Sequence, residues 1–260
     1  STPILMPVER SGREINALVH PGRNGYLWTL ERSADSIGFI DAEPYVYQNA
    51  FASIHPETGR PSYDPEHKPV TGSETSFCPS LWGGKDWPPA AYNPETGLLY
   101  IPANDNHCGI VEGREVTYMP GSSFTGARTQ MTVPETAEHI GEIQAWDMNT
   151  GEEVWTREFE SHNWGGILTT SGNLVFSGGT SDRFFRAHDA STGEELWRFR
   201  TNSGIIGVPS SFSVDGRQYV AVQSGWGVDA AGMTARIDQQ RGTSTFVPQG
   251  GVIWVFALPE

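Results

Sequence analysis

Cysteine is scarce in this sequence: two in 260 residues, too few for a disulfide-rich scaffold but enough for one staple in an oxidising compartment. Positive charge is also short. Seventeen Lys and Arg stand against 31 Asp and Glu, a formal net charge of -14 and an isoelectric point near 4.9. That balance opposes nonspecific nucleic-acid binding and favours basic partners or plain solubility. No apolar run has the length of a membrane helix, so no transmembrane segment is expected. The opening STPILMPVERSG lacks the charged head, apolar run and cleavage pattern of a signal peptide, although a leader removed ahead of residue 1 stays compatible with it. There is no G-x-G-x-x-G ahead of a βαβ unit, no P-loop and no H-E-x-x-H. What the chain does have is 30 glycines, 18 prolines and nine tryptophans. This mixture calls for many tight turns and many large flat side chains that need burial, and it leaves little room for long helices. The length suits one large β-rich domain or two ordinary ones.

Two segments align without gaps, AWDMNTGEEVW from Ala145 and AHDASTGEELW from Ala187, with starts 42 residues apart. That period matches a four-stranded propeller blade better than a helical solenoid repeat. In each, the Asp can hydrogen-bond into the turn, the Gly takes backbone angles closed to other residues, and the exit runs toward a Trp expected to be buried. Weaker copies occur at AYNPETGLLYIP (91–102) and SIHPETGRP (53–61). Strand-sized runs rich in β-branched and aromatic residues fill the intervals: GYLWTL, LLYIPA, IQAWD, NLVFSGG, FFRAHD, QYVAVQSG and VIWVFAL. The expected architecture is all-β, with successive antiparallel sheets. Two stretches break the period. Residues 109–141 read as a long inter-strand insertion, and 226–249 read as a long turn that could cover one mouth of the propeller.

Several residues could carry chemistry. Arg23, in the turn HPGRNGYLW, could donate several hydrogen bonds to a planar, oxygen-rich ligand, or simply sit in solvent. Lys85 and Asp86 could form a loop ion pair or belong to a site. Trp164 in HNWGG and Trp226 in SGWG are flanked by glycines at corresponding ends of blades, either lining a ligand pocket or serving as packing corners. His107 beside Cys108 cannot close a tetrahedral metal site, and a loop hydrogen bond is the simpler expectation. Cys78 and Cys108 enclose 31 residues. A structural disulfide is expected there, with two buried thiols as the alternative.

The stretches HPGRNGYLWTLER, SFCPSLWGGKDWPPAAYNPETGLLYIPANDNHC, the two AxDxxTGEExW repeats, HNWGGILTTSGNLVFSGG, QYVAVQSGWG and PQGGVIWVFAL together resemble the pyrroloquinoline-quinone (PQQ)-dependent alcohol dehydrogenases, which include methanol and ethanol dehydrogenases. The resemblance runs through essentially the whole chain. It implies an eight-bladed β-propeller with the quinone near its axis, of which this chain supplies about four blades, the C-terminal half. It further implies that Arg23 matches the arginine that orients and polarises the quinone, a catalytic as well as a cofactor-binding role. Trp164 and Trp226 match pocket-lining positions with Gly225 beside the latter, and Cys78 and Cys108 match a structural disulfide pair. Asp86 matches a position often held by Asn, and an ionised carboxylate cannot offer the amide's donor.

The family's catalytic aspartate, metal-binding Glu and Asn, adjacent-cysteine disulfide and stacking tryptophan belong upstream of the matching region. No residue here is assigned to them. The implied activity is oxidation of an alcohol to an aldehyde or ketone by hydride transfer to the quinone, with Ca²⁺ or a lanthanide ion held by ligands outside this chain. A cytochrome c-like acceptor, a companion N-terminal half and a periplasmic or otherwise extracytoplasmic location complete the expectation, and the isolated chain is expected to be inactive. The alternative is a noncatalytic binding or structural propeller fragment. A pair of identical copies closing eight blades ranks last for catalysis, since it would supply neither missing set of residues.

Overall fold

A computed structural model describes residues 2–10, 12–122 and 125–258; Ser123 and Phe124, inside the 109–141 insertion, lie outside the described residues. The first blade is an antiparallel sheet of β1 (Ile4–Arg10), β2 (Arg13–Pro21), β3 (Tyr26–Arg32) and β4 (Ile37–Pro44) in sequential order. A small hairpin, β5 (Phe51–Ile54) and β6 (Pro61–Tyr63), and a strand β7 (Glu74–Phe77) lead to the second blade. That blade contains β8 (Ala91–Asn93) and β9 (Leu98–Asn104). The chain then leaves it for β10 (Cys108–Gly113) and β11 (Ala127–Thr132), which pair with β7, and returns as β12 (Gly141–Asp147) and β13 (Glu152–Phe159). The third blade is β14 (Leu168–Thr170), β15 (Leu174–Ser177), β16 (Phe184–Asp189) and β17 (Glu195–Arg200). The last sheet holds β18 (Ser210–Val214), β19 (Arg217–Ser224) and, after a helix α1 (Val228–Arg241), β20 (Val252–Phe256). The architecture is a partial β-propeller, with β8 flanked by β1 and β14 along the inner edge.

Strand periodicity explains how the blades stack. Along β9 successive side chains point to opposite faces. Leu99, Ile101 and Ala103 join Met6, Val8, Ile15, Ala17 and Val19 of the first blade in one core. Leu98 and Tyr100 join Ile143, Ala145, Trp155, Val175 and Ala190 in a second core shared with the third blade. Every residue of β9 is therefore buried. A further core joins Phe185 of the third blade to Val220 and Val222 of the last sheet.

The repeated turns form as the sequence implies. Asp147 Oδ1 accepts the Asn149 amide at 2.8 Å, Asp189 Oδ1 accepts those of Ser191 and Thr192 at 2.9 Å, and Gly151 and Gly193 take φ of 77° and 70°. In the Ala91 copy Asn93 does the same work, with its Oδ1 accepting the Glu95 amide at 3.0 Å. The Ser53 copy builds only the β5–β6 hairpin. The tryptophan exits differ. Trp155 is buried and donates to the Ala190 carbonyl at 3.0 Å, while Trp197 is 38 % exposed.

The two aperiodic stretches are more ordered than loops. The insertion begins and continues as the paired strands β10 and β11, and the expected long turn contains the 14-residue helix α1. Ala230, Met233, Thr234 and Ile237 form its buried stripe at helical spacing, and Gly242, left-handed at φ 65°, ends it. The first excursion leaves from the middle connection of the second blade and the second from the β19–β20 connection of the last sheet.

Candidate functional site

The residues singled out above sit at strand ends: Arg23 just after β2, Asp86 ahead of β8, Trp164 ahead of β14, Gly225 and Trp226 just after β19. Arg23 occupies a turn closed by the Gly25 amide donating to the Gly22 carbonyl at 3.1 Å, with Gly25 at φ 89°. Its Nη2 lies 3.0 Å from Asp86 Oδ2 and also donates to the Leu81 carbonyl. The Arg23 side chain nevertheless remains 55 % exposed. Gly83 has φ 73°, and a Cβ there would collide with Arg23, so only glycine lets the 83–86 loop lie across the arginine. The Gly84 amide donates to the Arg23 carbonyl at 3.2 Å and the Asn104 amide to the Gly84 carbonyl at 2.7 Å, which locks the loop from both sides.

Lys85 is fully buried, its Nζ donates to the Asp86 carbonyl at 3.1 Å, and burial pushes its ammonium down to about 8. The loop ion pair suggested by the neighbours Lys85 and Asp86 is thus made instead between Asp86 and Arg23.

Trp164 and Trp226 are 4 % and 3 % exposed and share a core with Trp82, Ile140 and Met233. The Gly225 amide donates to the Gly204 carbonyl at 2.7 Å, and a Cβ on Gly204 would strike the Trp226 ring. Gly204→Ala should therefore cost about 1–3 kcal/mol and shift the Trp226 emission. Urea denaturation followed by fluorescence checks this; a change under about 0.5 kcal/mol would mean the ring moves aside freely.

The His162 ring lies between Trp82, at 6.2 Å, and Trp226, at 5.4 Å, and both its nitrogens are buried without a partner. Burial pushes His162 down to about 3 and His107 to about 4, so both rings are neutral near pH 7. His107 makes the expected loop hydrogen bond, Nδ1 to Ser80 Oγ at 2.8 Å. The Cys78–Cys108 disulfide is present and brings the Trp82 loop beside β10.

Arg23 and Asp86 thus meet directly, Trp164 and Trp226 share a core with Trp82, His162 lies between Trp82 and Trp226, and the 82–86 loop links the two groups. The indole Nε1 atoms of Trp164 and Trp226 are buried donors without partners. Like the Arg23 guanidinium, they are donors of the kind an acceptor-rich planar ligand uses. The chemistry of these donors, taken singly, suits a flat o-quinone bearing carboxylates, such as PQQ. The sequence reading missed Lys85 as a buried cation, His162, and Trp82 as the hinge between the groups. Among the described residues no cluster of three or more His, Cys, Asp or Glu side chains is arranged to hold a metal.

The fold is that of a quinoprotein-type propeller. The domain family described as PQQ glucose/ethanol/alcohol dehydrogenase β-propeller matches residues 156–220. Quinoprotein alcohol dehydrogenase PedH of Pseudomonas putida is 37 % identical over 256 residues, 96 % of this chain and 42 % of that protein. A lanthanide-dependent methanol dehydrogenase of Methylacidiphilum fumariolicum is 36 % identical over 98 % of this chain and 44 % of its own length. The structure of a europium-containing methanol dehydrogenase superposes with a TM-score of 0.87 at 35 % identity, covering 99 % of this chain and 47 % of that one. The chain belongs to the PQQ-dependent alcohol dehydrogenase family and is consistent with its C-terminal half. It spans less than half the length of these relatives.

Proposed function

We propose that this chain forms the C-terminal portion of an extracytoplasmic PQQ-dependent alcohol dehydrogenase that oxidises an alcohol to an aldehyde or ketone and passes the electrons to a cytochrome c-like acceptor. The observation that carries the reading is the Arg23–Asp86 pair on a loop whose Trp82 shares a core with two buried, unpartnered indole donors. PQQ, when bound, supplies the two-electron acceptor to which the alcohol's hydride passes. Arg23 orients that acceptor and stabilises negative charge as it develops, a role its rigid fork of donors suits. Trp164, Trp226 and Gly225 line the pocket, exclude water and present the indole N–H groups. The insertions around 109–141 and 226–249 cover the mouth, a role supported by α1 packing in one core with both tryptophans. Ca²⁺ or a lanthanide would be held by the remaining blades, and the disulfide supports an oxidising compartment.

Quinone titration followed by tryptophan quenching tests the reading. Arg23→Ala should weaken binding at least about tenfold, the scale of a lost charge-assisted hydrogen bond, with little change in thermal stability because the side chain is half exposed. Equal affinity of wild type and variant would reject the role of Arg23. The burial of Trp164 and Trp226 also suits a noncatalytic propeller fragment that keeps these residues as packing. Alcohol-dependent dye reduction by the quinone-loaded chain would exclude that second reading.

A further inference from the structure

The most unusual group near the site is Lys85. A fully buried lysine is rare, and taking an ammonium out of water costs several kcal/mol that a methionine of similar length would not incur. Its place on the loop suggests what that cost supports. Asp86, 3.0 Å from Arg23, sets a carboxylate against the exposed cation of the pocket. An anionic ligand would meet a neutral pair there, in a chain whose net charge is already -14. Lys85, the residue before Asp86, adds a second positive charge in a medium that screens it poorly. Its Nζ is fixed on the Asp86 carbonyl at 3.1 Å, and the loop it stiffens is held by Arg23 and Asn104.

We propose that Lys85 is a positioning residue whose buried charge offsets the Asp86 carboxylate, so that Arg23 still presents a net cationic wall to a polycarboxylate quinone. The inference rests on the functional reading above and assigns Lys85 and Asp86 as a compensating pair. The charged and titratable groups that interact with Lys85 include Asp86 on its own loop and His20 at the end of β2, and the same loop crosses the Arg23 turn. Burial first, with Lys85 adding to it, holds the His20 ring toward its neutral form. Because the protonated lysine favours an anion, quinone affinity is highest below about pH 8 and falls as pH rises through the Lys85 value.

The test is equilibrium titration of the protein with PQQ, read by tryptophan quenching between pH 6.5 and 9.5, alongside thermal melts. Wild type should lose affinity through about pH 8. Lys85→Met should bind on the order of tenfold to a hundredfold more weakly at pH 7, with a flat profile up to pH 9. It should melt at or above the wild-type temperature, since it removes a buried cation. Adding Asp86→Asn to Lys85→Met should restore affinity to within a few-fold of wild type, a coupling a purely structural lysine would not show. A wild-type profile without the transition near pH 8, a Lys85→Met variant that binds as well as wild type, or a double variant that stays weak overturns the inference and leaves the functional reading standing. If wild type takes up no quinone, both fall together. The wild-type profile needs no variant, so a Lys85→Met protein that fails to fold still leaves a decisive measurement.

Discussion

Glu142→Gln protein should lose roughly 5 kcal/mol of stability between pH 6.5 and pH 4.5, about twice the loss of wild type. Three buried groups produce that contrast. His107 and His162 are pushed down to about 4 and about 3 by burial, so the stability they confer is complete above the unfolded value near 6.5 and is lost as pH falls toward the folded values. At pH 4.5 each has given up about two pH units, or on the order of 2–3 kcal/mol. Glu142 works in the opposite direction. Burial first, helped by the nearby Asp105 carboxylate, pushes it up to about 7 against hydrogen bonds from Gln144 and His139. The folded protein therefore binds its proton more readily than the unfolded chain, and stability grows as pH drops from 7 toward 4.5. His139 Nε2 lies 2.7 Å from Glu142 Oε1 and connects it to Glu158 at the surface, 3.5 Å from Nδ1. In wild type the carboxyl offsets about half of what the two histidines lose. Removing it should also make the protein more stable at pH 7. Urea denaturation at the two pH values measures both effects, and equal pH slopes in wild type and variant would show that Glu142 is not the compensating group.

Loss of the Cys78–Cys108 bridge should cost about 3–4 kcal/mol, the chain-entropy value for the 31-residue loop it closes. The damage should reach beyond the loop. Ser80, two residues after Cys78, bonds His107 through its hydroxyl at 2.8 Å, and its amide donates to the His107 carbonyl at 3.2 Å. Trp82 stands on the same segment, so freeing Cys78 loosens the hinge between the Arg23 pair and the tryptophan group. Paired denaturation curves with and without reductant, and on the Cys78→Ala/Cys108→Ala variant, give the number. A difference under about 1 kcal/mol would mean that packing alone holds the segment.

What the sequence revealed of the fold was local. The Asp-x-x-Thr-Gly turns are written within seven residues, and the hydrogen bonds that close them, from the Asp side chain to the next amides and from the Gly amide back to the Asp carbonyl, stay inside that window, so pattern and structure agree. The helix α1 escaped because Gly232 interrupts its stripe and its polar residues dilute it, although the spacing of Ala230, Met233 and Ile237 was there to read. The site depended on distance along the chain. Asp86 follows Lys85, so adjacency suggested their pairing, but the arginine it meets lies in another blade. His162 in HNWGG carries no local sign of the two indoles that enclose it.

One detail recurs in all three four-stranded blades. The pairing of the third strand with the outermost one slips by a residue at the same relative place: between Thr29 and Leu30, between Ala145 and Trp146, and between Ala187 and His188. Such a bulge increases local twist. Repeated in register, it gives successive sheets the same pitch, so each blade offers the next an equivalent surface. The chain then behaves thermodynamically like a short one-dimensional array, whose stability is counted in junctions between neighbours. On that basis the two end blades, each with one junction among the described residues, should exchange their amide hydrogens ahead of the second and third.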